Sequence, residues 1–402
     1  MGAFPQRPTW RSHRSRYFLR YRIVPIVILI LFLQQQYLFY SYRDALLAKY
    51  SPTYFSSDFE QFLSQFGEFN PESKHLQNAL LANRQEWKIL GSGREGNIYT
   101  YHNSVIKTFK KEQSPLRNCV DIQAGLRWPS EIPASLHFGP RTTDQKDNAI
   151  ATNTSTAPLE FLPVQAYFEA TSHSASLPEW HLVTPLVPGG NLNELSKRIR
   201  NRQNPPSFRD LDAQYRPTFH RLLKTLDSMH RDGYCHDDIK PTNLFNRDDT
   251  TWIIGDLGNV RHVTHPYHTT RIWRENRQLT DCRANDAVRA LKTYFQFLCE
   301  AASDPEIFDS EFFGREEPLS VLYWTTMIDS ASMSARRLRS LSFSEAPSQT
   351  RRLDVQPDRL SFLPVRMFRR KAVDNAIGTG LNDSPARFWS MSWLFGPPEI
   401  RC

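Results

Sequence analysis

The stretch "CHDDIKPTNLF", Cys235 to Phe245, sets two adjacent aspartates between a histidine and a lysine, with an asparagine three residues past the lysine. Register separates the two acids. Asp238 stands two before Lys240 and five before Asn243. There it can accept or orient the proton of an attacking hydroxyl, while Lys240 neutralises charge developing on a transferred phosphoryl group. Asn243 offers an amide oxygen to a metal ion, and His236 reads as a structural ring packed into the core. The alternative is a damaged loop that no longer transfers anything, so the surrounding chain has to decide.

Downstream, "WIIGDLGNV" places Asp256 at the end of an apolar strand, followed by Gly258. A carboxylate there can bind Mg²⁺ bridging phosphates, although an acid at a strand end before glycine is often only a turn. Upstream, Gly91, Gly93 and Gly96 form G-x-G-x-x-G in "GSGREGNI". The alternating "IYTYH" that follows predicts a second strand, hence a glycine-rich hairpin lid and not the helix that a dinucleotide fold needs. Lys107 in "VIKTF" comes eleven residues after Gly96, on the next strand, where its amine can reach α- and β-phosphates if a carboxylate holds it. Glu131 in "RWPSEIPASL" is the candidate carboxylate, with Trp128 and Pro129 opening a helix that Pro133 limits to about a turn. Asp121 is the fallback. "WHLVTPLVPGGNL" reads as a strand leaving into a hinge, where Pro185 C=O and Val187 N–H can meet a planar base. Singly these signals are weak; in one order they describe an ATP- and Mg²⁺-dependent phosphoryl-transfer site.

The chain has 402 residues, 40% apolar and 23% charged, with a net charge of +8. Such a chain is globular and long enough for a two-lobed domain. Arg7, Arg11, Arg14, Arg16, Arg20 and Arg22 precede the apolar run "IVPIVILILFL" (Ile23–Leu33), and "YLFY" follows at Tyr37–Tyr40. The arginines and interfacial tyrosines predict an uncleaved signal anchor over 23–40, a basic cytoplasmic tail over 1–22, and the remainder across the membrane in the secretory pathway. Residues 41–84 read as a stem, with Phe59, Phe62 and Phe66 at helical spacing. Short β-like runs fill 85–184 and helical signals 185–402, with a Ser/Arg-rich stretch at 330–352 expected as a mobile insertion. Five cysteines without a C-x-x-C pair suggest a protein that does not depend on disulfides. His262, His265 and His268, near Arg261, Arg271 and Arg274, read as a basic patch for an acidic substrate or as a solvated loop. Asn153 and Asn382 are glycosylation acceptors by pattern. The aromatic C-terminus, "RFWSMSWLFGPP", is expected to pack on the helical lobe. A membrane and a nucleotide are the expected partners; nucleic acid is not.

With these residues in hand, the stretch from Trp87 to Ala301 resembles the protein kinase superfamily. "HDDIKPTN" resembles its catalytic loop H-R-D-L-K-P-x-N, and "DLG" resembles D-F-G. "GDLGNVRHVTHPYH…RIW…DCRANDAVR" is similar to kinase-like proteins of filamentous fungi. The resemblance implies an α+β, bilobal protein-kinase-like fold, with a small β-rich N-lobe and a helical C-lobe, behind the membrane helix. It also implies that Asp286 bonds back to the catalytic-loop backbone. Two departures matter. Asp237 replaces the arginine that would receive a phosphorylated activation segment, and no A-P-E closes that segment. A Ser/Thr protein kinase with a hydroxyl acceptor is the leading expectation. A small-molecule or sugar kinase of this fold is the alternative, followed by a membrane-tethered pseudokinase.

Overall fold

The computed structural model describes residues 12–55, 71–93, 96–109, 118–121, 126–139, 160–171, 178–248, 251–343, 365–396 and 398. Its architecture is mixed α+β. A single helix, Ser12–Lys49, begins the described chain and contains a segment long and apolar enough to cross a membrane. Its residues Ile23 to Leu33 are exposed around the whole circumference, as a segment solvated by lipid requires.

That helix continues past the apolar run and turns amphipathic. Tyr42, Ala45, Leu46 and Tyr50, three to four residues apart, bury against Tyr267, Ile272, Trp273 and Ala386. Tyr42 Oη donates to the Glu275 carboxylate at 2.7 Å, Lys49 pairs with Asp383, and Arg387 donates to Tyr50 Oη at 3.0 Å. The expected stem is therefore corrected: 41–50 is built into the helical part. A second piece of it, the helix Pro71–Ala82, buries Leu80 against the sheet residues Ile106, Phe168 and Val183. Phe59, Phe62 and Phe66 lie outside the described residues.

Five antiparallel strands form the sheet, in the order Lys88–Ser92, Gly96–Tyr101, Ser104–Phe109, Pro178–Pro185, Ala166–Thr171. Period-2 alternation sends Ile106, Phe168 and Val183 into one core, and Phe109 and Leu182 onto Ile132 of the helix Glu131–Phe138. The helical part is built on Phe208–Arg231 and Cys282–Ala301. Ser207 and Asp210 form a capping box at the start of the first. Phe219 stacks on Tyr294, and Trp252, Tyr215 and Phe297 form a mutually contacting triad. Each such fully buried ring contributes roughly 1.5–3 kcal/mol.

Three further expectations are corrected. Cys235 and Cys282, both buried, form a disulfide with Cα atoms 5.9 Å apart. They are 47 residues apart in sequence, so only the tertiary fold brings them together. Within the expected insertion, Ala335–Phe343 is a helix: Ala335, Leu338 and Ser342 bury, while Arg336 pairs with Asp227 and Arg337 with Asp329. Residues 344–352 lie outside the described ones. At the C-terminus, Ala386 and Trp389 pack against the N-terminal helix, but Phe388, Trp393, Leu394 and Phe395 stay exposed.

Candidate active site

The glycine-rich stretch closes a hairpin. Gly93 N–H donates to Gly96 C=O at 2.8 Å, and a Cβ on Gly96 would meet Thr108 O at 1.5 Å, so only glycine fits. Among the described residues, no atom lies within 4 Å of where a Cβ on Gly91 would be, and near one on Gly93 only the Gly96 carbonyl does, at 3.8 Å. This is the open backbone that a close-lying ligand requires. Residues 94 and 95 lie outside the described ones.

Lys107, on the third strand of the sheet, pairs with Glu131 and reaches Asp256 Oδ1 at 3.3 Å. Pro133 does not stop the helix Glu131–Phe138 as expected; it falls in the first turn, where its missing N–H costs nothing. The Asp121 side chain lies outside the description. Asp256 sits at φ 53°, ψ 61°, a left-handed conformation just before the turn Leu257–Asn259. Ser130 Oγ donates to Gly258 C=O at 2.8 Å, tying that turn to the Glu131 helix. The Lys107 ammonium holds the Asp256 carboxyl down to about 2, against the upward push of burial.

At the hinge, Pro185 pairs with Ser104, Leu186 N–H donates to Asn103 C=O at 2.8 Å, and Val187 C=O accepts from Gly190 at 2.9 Å. Gly190 takes φ +63°, and a Cβ on Gly189 would stand 1.8 Å from Asn246 O. Both glycines of the Pro-Gly-Gly turn are thus required by backbone geometry.

The loop after Cys235 is held from beneath. The fully buried Asp286 accepts from His236 N–H at 2.6 Å and Asp237 N–H at 3.0 Å, and lies 3.1 Å from His230 Nε2. His236 is buried, its Nε2 3.2 Å from Gly255 C=O. Asp238 Oδ2 accepts from Lys240 Nζ at 2.7 Å and Asn259 at 3.3 Å; Oδ1 accepts from Arg289 at 3.2 Å. Asn243 Nδ2 donates to Asp238 C=O at 3.0 Å, and its Oδ1 accepts from Thr242 Oγ1 at 3.2 Å, with a second lone pair on that oxygen for a ligand. Arg289 and Asn259 did not emerge from the sequence. Arg289 stands three residues after Asp286 on one helix face, and that period was the available signal.

The basic patch is also corrected. Arg261 and His268 are buried and donate to Asp237 Oδ2 at 3.1 and 2.8 Å. Burial alone would raise the Asp237 carboxyl, but His268 and Arg261 outweigh it and hold it low. His265 Nε2 lies 3.0 Å from Ser51 Oγ, and burial lowers the ring to about 3. These three groups face inward, whereas His262 and Arg271 are half-buried and Arg274 is exposed, so the correction covers half of the expected patch. Of the two sequons, Asn153 lies outside the described residues; Asn382 is exposed.

No protein-family model matches the chain. It is 33% identical over 88 residues, 22% of its length, to a protein of Dictyostelium discoideum described as a "probable serine/threonine-protein kinase", and spans 6% of that protein's length.

Proposed function

We propose that this chain is an ATP- and Mg²⁺-dependent phosphotransferase, anchored by the helix over residues 23–40, that moves the γ-phosphoryl group to a hydroxyl. Ser or Thr on a protein is the favoured acceptor, because Lys240 stands in the protein-kinase loop position. The observation that carries the reading is convergence. Lys107, Glu131 and Asp256, from three stretches, meet in one ion-pair cluster, Asn243 bonds to Asp238 within a fourth, and Gly255 N–H, beside Asp256, donates to Asn243 C=O at 2.9 Å to join the two groups.

The donor set fits the implied groups. Asp256 and Asn243 offer hard oxygen ligands suited to Mg²⁺, and Lys107 beneath an open glycine hairpin suits phosphate oxygens. When bound, the metal supplies charge neutralisation at the phosphates. The chain's own residues do the rest. Glu131 orients Lys107 against the nucleotide. Lys240 neutralises the transferring group. Asp238 already receives donors on both oxygens. Its remaining Oδ1 lone pair is suited to orienting the acceptor hydroxyl, with proton transfer late.

The buried Cys235–Cys282 disulfide supports an oxidising compartment, and the arginines before Ile23 support a cytoplasmic N-terminus; together they favour a lumenal domain. In the test, the purified full chain in nanodiscs is given Mg²⁺, labelled ATP and a protein mixture. Transfer is expected, with Asp238→Asn losing at least ~10²-fold. Equal transfer by both proteins would sink the mechanism. Label found only on sugars would favour the small-molecule kinase, and no Mg-dependent nucleotide binding would favour the pseudokinase.

A further inference from the structure

We infer that the two short C-terminal helices, Ser384–Trp389 and Ser392–Phe395, form a second membrane contact: an aromatic wedge seated at the headgroup–acyl boundary of the bilayer that the N-terminal helix crosses. The inference rests on reading that helix as a span. Four large apolar side chains lie within eight positions and stay in the open: Phe388 is 63% exposed, Trp393 72%, Leu394 55% and Phe395 58%. Single exposed apolar residues need no explanation, but a cluster of this kind marks a contact surface.

Its place on the molecule identifies the occupant. The Phe395 ring meets Phe39 of the N-terminal helix edge-on, with centroids 6.2 Å apart. Along that helix Ile23 to Gln35 are exposed, whereas Gln36, Leu38 and Phe39 are half-buried, so the body first touches the anchor at this level. A span of ~20 residues counted from Ile23 ends near Tyr42. Phe39 and Phe395 therefore stand at the membrane–water interface, where Trp and Phe side chains partition favourably. Arg43, with its guanidinium 6.0 Å from the Phe39 ring centroid, adds a cation at the same height. The wedge is held there by Lys49–Asp383, by Arg387 on Tyr50, and by Ala386 in the shared core. Lipid is the partner already present at that level.

The test reconstitutes the full chain in phosphatidylcholine vesicles and compares it with Trp393→Ala, whose exposed position should leave the thermal midpoint unchanged. The emission difference between the two is the Trp393 signal. Phosphatidylcholine brominated high on its acyl chains is expected to quench that signal by at least half, and aqueous acrylamide to quench it far less. A Leu394→Trp variant should gain emission that the same lipid quenches, which keeps the test independent of the alanine variant's folding. Quenching by acrylamide without quenching by bromine overturns the wedge. Protection from both, with cross-linking between copies at this patch, overturns it in favour of self-association. Alkaline extraction separates the two failures: a chain released from the vesicles sinks the span itself, whereas a retained chain with water-quenched Trp393 sinks only the wedge.

Discussion

Asp237 holds φ at +63°, a conformation that few residues other than glycine adopt. Its backbone is fixed there by Asp286, and its carboxylate receives Arg261 and His268 from the segment after Asp256. A position expected to lack a cation thus holds an anion that collects the Arg261 guanidinium and a His268 ring N–H, and the segment is tied down without any phosphate. Replacing one partner of a buried pair leaves the other charge uncompensated, at a cost of roughly 3–5 kcal/mol. Asp237→Asn, which keeps some hydrogen bonding, is expected to lower the thermal midpoint by about 5–10 °C. Asp237→Arg, which sets a guanidinium against Arg261, should lower it further. Midpoints of the two variants within a degree of the parent protein would show that the cluster is not a stabilising latch. The pairing of Lys107 with Glu131 could be read from sequence, because the glycine hairpin marks the strand that carries the lysine and Glu131 is the acid that opens the next helix. The Arg289–Asp238 and Arg261–Asp237 pairs were not read, because only the tertiary fold sets each arginine against the catalytic loop.

At the scale of elements, the disulfide joins the short strand Tyr234–Cys235 to the first residue of the helix Cys282–Ala301. That helix also carries Asp286 and Arg289, so one covalent bond fixes the platform that holds Asp238 to the loop it supports. Closing a loop of this length removes chain entropy worth about 4 kcal/mol from the unfolded state, with measured effects commonly 2–4 kcal/mol. The Cys235→Ala/Cys282→Ala double variant is expected to unfold several degrees lower. In the parent chain, thiol alkylation before and after denaturing reduction should reveal at least two additional cysteines only afterwards. Alkylation of Cys235 and Cys282 without reductant would remove both the disulfide and the compartment reading built on it. Helices and strands were legible from hydrophobic period: the β-rich region and the helical region fall where alternation and 3–4 spacing put them. What each helix packs against was not legible, as the Ala335–Phe343 helix shows. Its arginines gave it the composition of an insertion, while Ala335, Leu338 and Ser342 form its buried face.

Across the whole molecule, two buried histidines couple folding to pH from opposite ends. His181, stacked on Phe168 in the sheet, is lowered by burial to about 4, and His265, beside Ser51, to about 3. Both folded values lie below the unfolded ~6.5, so between them the unfolded chain binds more protons and stability rises with pH. The contribution is complete above about pH 6.5 and is lost as pH falls, reaching roughly 2 kcal/mol per histidine at pH 5. The buried His220 ring, also lowered by burial, acts in the same sense; the thermal midpoint should therefore drop between pH 7 and pH 5, and His181→Phe should reduce that slope. A flat profile in the parent chain would contradict the assignment.

The N-terminal helix reaches the site with little chain between them. Lys49 C=O accepts from Arg261, whose guanidinium also holds Asp237, the neighbour of Asp238. From Phe39 to Lys49 the helix rises no more than ~15 Å. On the proposed reading, the catalytic loop is then mounted on a short fixed post, not on a tether. Acceptors would have to present their hydroxyls within a thin layer above the bilayer, and encounters would be set by lateral diffusion of membrane neighbours more than by their bulk concentration.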